Sequence, residues 1–132
     1  VRGVCSLIPG VKDLSENIEV RSIVGRYLEH SRVFYFYNDG NEVIYLSSAD
    51  MMQRNLDRRV EVAFPIENPR LKDELMKTLL KIALKDNVKA RILQSDGSYV
   101  FPEVKENAKR TNSQEWLMNH TLKAMGVRTQ KT

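Results

Sequence analysis

The sequence has 132 residues, which suits one domain that can bury roughly two-thirds of its unfolded surface. With 42% hydrophobic and 29% charged residues, it is typical of soluble globular proteins, and no apolar run reaches the ~20 residues that a transmembrane helix requires. The net charge of +4 arises in residues 105–132, which hold six Lys or Arg against two Glu and predict a basic C-terminal helix and tail.

The first elements are an apolar segment, a loop and a short helix. Residues 1–8 are β-prone and begin without an initiator Met, so we expect a segment of a longer chain that opens in a strand. The lone Cys5 predicts no internal disulfide and a reducing compartment. Residues 9–17 predict a loop. A short helix is predicted just before His30 by apolar residues at helical spacing: Ile23, Val24, Tyr27 and Leu28.

A β-hairpin and a further strand are predicted next. Residues 33–37 and 43–46 are aromatic and β-branched runs that flank Asn-Asp-Gly-Asn at 38–41, a strong hairpin signal. Alternation of apolar and polar residues over 60–64 predicts a half-buried strand that ends at Pro65. His30 should therefore lie at the entrance of the hairpin.

The last third of the chain is predicted to contain two helices and one strand. Asn68, followed by a proline, predicts the start of a helix that runs to about residue 85. Residues 88–93 predict a strand, 95–98 a turn, and 114–125 an amphipathic helix closed by a glycine. The first helix should turn an apolar face inward: Leu71, Leu75, Leu79, Ile82 and Ala83. Alternating strands and helices predict an α/β fold of unknown sheet order.

The residues around His30 favour phosphoryl chemistry. Imidazole can attack phosphorus or shuttle a proton, and guanidinium groups bind phosphoryl oxygens in pairs. A serine hydroxyl can hold a phosphate, and a carboxylate can fix the imidazole tautomer. His120, on the last helix, lacks such neighbours and is expected to be structural. Residues of these types follow His30 in the sequence, namely Arg32, Ser48, Asp50, Arg54 and Glu61.

Three runs resemble the phospholipase D superfamily pattern of H-x-K, G-S-x-N and a later Glu, namely residues 30–32, 43–50 and 54–61. Three stretches are similar to the last catalytic domain of the polyphosphate kinase family, namely residues 2–9, 26–30 and 47–59. The resemblance covers residues 1 to about 93. Arg32 replaces the superfamily Lys, Tyr37 its Asp and Asp50 its Asn, and these departures disfavour a phosphodiesterase.

The resemblance implies a phospholipase D-like sandwich of a mixed β-sheet with helices packed on it. It also implies reversible, ATP-dependent synthesis of polyphosphate with Mg²⁺ through a phosphohistidine in a preceding domain, so the isolated segment should be inactive. His30 would serve as proton donor or transition-state stabiliser, and both His30 and Arg2 would contact nucleotide phosphates. Arg32 and Arg54 are weaker candidates for phosphate binding, because either could instead pair with a carboxylate.

Glu61, Ser48 and Asp50 are expected to support this site. We hypothesise that Glu61 accepts the Nδ1 proton of His30 and orients it. The alternative is a surface ion pair of Glu61 with Arg59 or Arg54. No carboxylates cluster at metal-ligand spacing, so Mg²⁺ should arrive with ATP rather than occupy a site in this chain.

The expected partners are ATP or ADP, polyphosphate and the preceding domains of the same enzyme. The whole enzyme is expected to be a cytoplasmic homo-oligomer, either free or peripheral to the membrane. Nucleic acid is not expected, because the aromatic residues are concentrated in residues 34–37 rather than spread as a stacking platform. Two other functions stay open: half of a phospholipase D-like phosphodiesterase or nuclease, and a polyanion-binding module that acts through the basic tail.

Overall fold

The computed structural model describes residues 1–3 and 5–127, and the chain divides into two compact units. The central unit is Glu29–Leu80, and the terminal unit combines Val1–Leu28 with the chain from Lys81 onward. The prediction of a single domain stays a prediction. The elements are β1 (Arg21–Ile23), β2 (Val33–Phe36), β3 (Val43–Ser47), α1 (Gln53–Arg58), β4 (Ala63–Pro65), α2 (Pro69–Leu75), α3 (Lys81–Leu84), β5 (Ala90–Leu93), β6 (Tyr99–Val100) and α4 (Ser113–Ala124).

The central unit is built on an antiparallel sheet of order β2-β3-β4. The predicted hairpin is confirmed, with Val33 opposite Leu46 and a 3₁₀ turn at Asn38–Gly40. Asp39 adopts a positive φ of 51°, a conformation that aspartate tolerates better than most residues do. The innermost side chain is Ile44, which is 1% exposed.

The strand after α1 is shorter and more exposed than predicted. β4 begins only at Ala63, which pairs with Ser47 of β3. Val60, Val62 and Phe64 are 103%, 57% and 47% exposed, so the predicted half-buried face is wrong for this chain. Val60 and Val62 precede β4 and lie outside the sheet, and β4 is an edge strand that borders β3 alone.

The terminal unit holds a second antiparallel sheet of order β1-β5-β6. Ser22 pairs with Arg91, and Leu93 pairs with Tyr99. The predicted strand at the start of the chain is not formed in the described residues 1–3 and 5–8, and β1 lies later in the chain.

The short helix predicted before His30 is also wrong. The Gln114 side chain accepts a hydrogen bond from the Tyr27 backbone N–H at 3.1 Å and donates to the Tyr27 carbonyl at 2.7 Å. These are the backbone groups that a helix would pair internally, so the segment forms a bend instead.

The later helices agree with the sequence. Asn68 caps α2 by accepting from the backbone N–H groups of Arg70 and Leu71, and Pro69 is its first residue. A π-helical stretch, Met76–Leu80, joins α2 to α3, with no residue buried in any of the three segments. Leu71, predicted to point inward, is 50% exposed. The final helix α4 is confirmed, whereas residues 128–132 of the predicted tail lie outside the described residues.

The α/β class is confirmed, and every strand pair among the described residues is antiparallel, where the resemblance implies a mixed sheet. The turns predicted over residues 9–17 and 95–98 are present. Strand β6 was missed, because two residues are too few for a periodic pattern. In the described part of the chain, no helix combines the length and the apolar character needed to cross a membrane.

Candidate functional site

The site in the central unit begins with an ion pair between β2 and the end of β3. Ser47 ends β3, and its hydroxyl accepts the Ala49 N–H at 3.0 Å, which bends the chain. The bend presents Asp50, whose Oδ1 accepts from Arg32 Nε at 2.8 Å. Side-chain exposures of 28% for Arg32 and 40% for Asp50 leave the pair within reach of solvent and ligand.

The same arginine also contacts the backbone of the candidate histidine. Arg32 Nη1 donates to the His30 carbonyl at 3.1 Å, so one guanidinium joins Asp50 to the segment that carries His30. The His30 side chain is exposed. The structure therefore bonds the backbone of an exposed histidine to an anchored guanidinium.

The charges of this site converge on Asp50. The hydrogen bond with Arg32 lowers the pKa of Asp50; partial burial opposes that shift, and the charges of Arg32, Arg54 and His30 add to it. The hydrogen bond with Asp50 likewise raises the pKa of Arg32. Arg54 is thus close enough to act on Asp50 electrostatically, although it is exposed and forms no ion pair within the described residues.

A second cluster joins Ser48, Asn55 and Glu61. The Ser48 hydroxyl donates to Glu61 Oε2 and accepts the Val62 N–H at 3.0 Å. Asn55 Nδ2 donates to Glu61 Oε1 at 2.8 Å. Asn55 is 2% exposed, and its amide oxygen has no hydrogen-bond partner among the residues that the structure describes. These hydrogen bonds, led by that from Ser48, lower the pKa of Glu61.

The hypothesis that Glu61 accepts the Nδ1 proton of His30 is not met by a direct hydrogen bond within the described residues, and the orienting role of Glu61 stays a prediction. Both carboxylate oxygens of Glu61 are engaged, one by Ser48 and one by Asn55, and no direct hydrogen bond links Glu61 to His30 within the described residues. The alternative, an ion pair with Arg59 or Arg54, is not formed there either. Glu61 instead fixes the junction between the end of β3, α1 and the segment before β4.

Asn55 belongs to this cluster although it was not among the site residues predicted from the sequence. It lies on α1, where one side chain per turn faces inward, and it is the buried residue of that helix. A polar residue at the buried position of a short amphipathic helix is the signal that could have found it, because a buried amide needs a partner.

Arg2 lies in the terminal unit. Its Nη1 donates to the Ile23 carbonyl at 2.7 Å, and the side chain lines a cleft of about 350 Å³. The structure thus brings together His30, Arg32, Asp50 and Arg54 in the central unit and describes Arg2 in the other.

A metal ion held by this chain would need several His, Cys, Asp or Glu side chains close together. Across residues 1–3 and 5–127, no three His, Cys, Asp or Glu side chains are grouped closely enough to hold a metal ion. The hydrogen bond from Arg32 occupies one oxygen of the Asp50 carboxylate.

Comparison with known proteins identifies several relatives. The family model described as polyphosphate kinase C-terminal domain 2 matches residues 1–114. The polyphosphate kinase of Paraburkholderia phytofirmans is 65% identical over 99 residues, which cover 75% of this chain and 14% of that protein. The polyphosphate kinase of Exiguobacterium sp. is 50% identical over 121 residues, which cover 92% of this chain and 17% of that protein. The chain thus spans about one-seventh to one-sixth of the length of these relatives.

A solved structure shows the same fold. The crystal structure of polyphosphate kinase from Porphyromonas gingivalis superimposes with a TM-score of 0.84 at 35% sequence identity. The match covers 94% of this chain and 19% of that one.

Proposed function

Because the chain belongs to the polyphosphate kinase C-terminal domain 2 family, we propose that it is the C-terminal catalytic segment of a polyphosphate kinase. The proposed reaction is reversible transfer of the terminal phosphate of ATP to polyphosphate. The phosphohistidine that carries the phosphate between substrates would lie in a domain outside this chain. The relatives bear the name of this activity, and the chain spans only a small part of each.

The observation that carries the proposal is the guanidinium of Arg32, which is held by Asp50 and bonded to the His30 carbonyl. Phosphoryl transfer needs little covalent chemistry from the protein and much positioning and charge neutralisation. An exposed histidine whose backbone is bonded to a fixed guanidinium suits both needs. This arrangement favours phosphoryl transfer over a polyanion-binding module, for which no histidine is required.

The individual roles follow from the contacts. His30 would donate a proton to the leaving oxygen or stabilise charge on the transferred phosphoryl group. Arg32 would hold the His30 backbone and neutralise developing negative charge with the N–H groups that Asp50 does not use. Arg54, exposed and near Asp50, would add a second cation, and Arg2 would bind nucleotide phosphates.

Mg²⁺ would accompany ATP in this proposal. The described residues offer no group of three suitable ligands, whereas the oxygens of ATP phosphates are the kind of ligand that Mg²⁺ takes in phosphoryl-transfer sites. When bound, the ion would neutralise phosphate charge. The residues of this chain would then orient the phosphates and move the proton.

Three expectations about the whole enzyme stay predictions: a homo-oligomeric assembly, a cytoplasmic location that is either free or peripheral to the membrane, and no nucleic-acid partner. ATP or ADP, polyphosphate and other domains of the same enzyme are its proposed partners.

The decisive experiment is His30→Ala in a polyphosphate kinase that carries this segment. We expect turnover to fall by roughly 10²- to 10⁴-fold, the usual contribution of a general acid or base. The matched control is His120→Ala, because His120 belongs to α4 of the terminal unit and stacks on Trp116 with the ring centroids 4.8 Å apart. Equal activity of the two variants would contradict the proposed role of His30.

A further inference from the structure

A cleft in the terminal unit gathers two arginines on one face of the sheet β1-β5-β6. The strand register places Ser22 opposite Arg91 and Tyr99 opposite Leu93, so the three cleft residues Ser22, Arg91 and Tyr99 share that face. Among the described residues, the lining contains two guanidinium groups and no carboxylate: Arg2, Gly3, Ser22, Val24, Arg91 and Tyr99. Its volume of about 350 Å³ is at the lower end of the range for small-molecule sites.

The Arg91 guanidinium is fixed by an aromatic ring and two carbonyls. Its central carbon lies 3.6 Å from the centroid of the Phe101 ring. Nη1 donates to the Ala90 carbonyl at 3.0 Å and to the Lys89 carbonyl at 3.3 Å. These contacts use two of the five N–H groups of the guanidinium. Within the described residues, the Nε and Nη2 edge forms no hydrogen bond, and it is this edge that matches two phosphoryl oxygens.

Arg2 is held in a similar way. Its Nη1 donates to the Ile23 carbonyl at 2.7 Å, and the neighbouring Val1 carbonyl accepts from the Ser22 hydroxyl, which ties this segment to β1. The Nε and Nη2 edge of Arg2 has no hydrogen-bond partner among the residues that the structure describes. Two cations with open donor edges therefore line one cleft.

We propose that this cleft binds a phosphoanhydride chain and that Arg91 is a second phosphate-binding arginine beside Arg2. The inference rests on the proposed function, to which it adds Arg91, with Phe101 as the ring that holds it flat. Two guanidinium groups suit successive phosphoryl groups that each carry about one negative charge, and the Tyr99 hydroxyl supplies a further donor. The ligand is either the triphosphate of ATP or a stretch of polyphosphate.

The test is equilibrium binding of tripolyphosphate to a polyphosphate kinase that carries this segment, at constant Mg²⁺ and ionic strength. Arg91→Lys keeps the charge and removes the paired donors, so we expect the Kd to rise roughly tenfold. The matched control, Arg110→Lys, changes an exposed arginine of the same unit outside the cleft and should leave the Kd unchanged. Phe101→Leu removes the ring and should raise the Kd by a smaller factor.

A parallel titration with ATP identifies the source of the phosphates. If Arg91→Lys weakens the binding of both ligands, the cleft holds the triphosphate of ATP. If it weakens the binding of tripolyphosphate alone, the cleft holds the polymer. Wild-type affinity of Arg91→Lys for both ligands would overturn the inference, and this conservative variant decides the matter if Arg91→Ala does not fold. Since tripolyphosphate binding needs no turnover, failure of the proposed function would show as absent synthesis with binding intact.

Discussion

At the scale of single residues, Asp50 is the anchor on which the His30 site depends. Its carboxylate holds Arg32 by the Nε hydrogen bond, and Arg32 in turn holds the His30 carbonyl. In a polyphosphate kinase that carries this segment, we expect Asp50→Asn to lower kcat roughly tenfold, because a misplaced positioning group weakens transition-state contacts. Steady-state kinetics measures the effect. The control is Asp73→Asn, which removes only an exposed pair with Lys77.

The pH dependence of Asp50→Asn follows from the direction in which the pKa of Asp50 is shifted. The hydrogen bond with Arg32 lowers the pKa of Asp50 below the ordinary value of about 4, so the ion pair persists above that value. It is lost only as the pH falls through the lowered pKa. The loss of kcat in Asp50→Asn should therefore be uniform from about pH 6 to about pH 9. A displaced acid limb in that range would contradict this account.

The partners of Glu61 mark the limit of sequence reasoning about single residues. The run of residue types around His30 predicted a phosphate-handling cluster, and Arg32, Asp50 and Arg54 do lie near one another. Sequence spacing could not decide the partner of Glu61, because Ser48 and Asn55 reach it from different elements. Hydrogen-bond pairing across elements depends on the turn after β3, which no periodic pattern encodes.

At the scale of elements, Gly25 is a contact point between the segment after β1 and α4. A Cβ added at Gly25 would lie 2.3 Å from Gln114 Oε1 and 2.7 Å from its Cδ. Gln114 cannot withdraw without breaking both hydrogen bonds with Tyr27. We expect Gly25→Ala to lower the free energy of unfolding by about 1–3 kcal/mol, as overpacking does.

A double-mutant cycle checks this mechanism by urea unfolding. In a Gln114→Ala background the added methyl group has room, so Gly25→Ala should cost much less there than in the wild-type chain. Additive effects of the two substitutions would show that the glycine is needed for another reason.

Asp86 joins the end of α3, the start of β5 and the start of α4. It is fully buried; Oδ1 accepts from the backbone N–H groups of Val88, Lys89 and Ala90, and Oδ2 accepts from the N–H and hydroxyl of Ser113. Burial alone would raise the pKa of Asp86, but these hydrogen bonds lower it overall. Its stabilising effect is present above the unfolded pKa and is lost as the pH falls through the folded value.

We expect Asp86→Asn to destabilise the fold by about 1–3 kcal/mol, because the amide would turn N–H donors toward the Ser113 N–H and leave it unpaired. Urea unfolding of this chain measures the loss. Amide hydrogen exchange at Ser113 provides a local check in a longer protein. The variant should also lose part of the acid sensitivity of the wild type, and an unchanged acid branch would contradict the assignment.

The elements that sequence analysis predicted are those with strong local signals. Asn68 followed by Pro69 is a local cap signal, and the hairpin turn at Asn38–Gly40 needs only neighbouring residues. The helix wrongly predicted over residues 23–28 has a long-range cause, because Gln114 forms hydrogen bonds with the backbone of Tyr27 from 87 positions away. The helical spacing of the apolar residues in 23–28 does not indicate that Gln114 binds this segment.

At the scale of the whole molecule, the apolar residues are less buried than their periodicity predicts. The buried hydrophobic side chains of the described residues are Val20 and Ala90 in the terminal unit and Ile44 and Ala49 in the central unit. Val60 and Leu14, in contrast, are 103% and 81% exposed. Many other large apolar side chains of the described residues are exposed as well, and where such side chains form contiguous patches they mark interaction sites. This exposure agrees with the proposal that other domains of the same enzyme contact this segment.

The isolated chain should form no polyphosphate from ATP. Under the proposed function, the phosphorylated histidine lies in another domain of the enzyme. His30 then acts on the phosphoryl group that this histidine carries. We expect polyphosphate formation by the 132 residues to equal that of a blank without protein, in an assay with Mg²⁺ and a full-length polyphosphate kinase as the positive control. Polyphosphate above the blank would contradict the division of labour and would require a complete active site within this chain.

A complementation experiment distinguishes a missing domain from misfolding, because either would leave the isolated chain inactive. A polyphosphate kinase that lacks this segment should regain activity when the wild-type chain is added in trans. The His30→Ala chain should fail to restore it, and the His120→Ala chain should succeed. Restoration by both variants would show that the segment acts only as a scaffold. Restoration by the His120 variant alone would show that the chain supplies His30 chemistry to an active site completed by other domains.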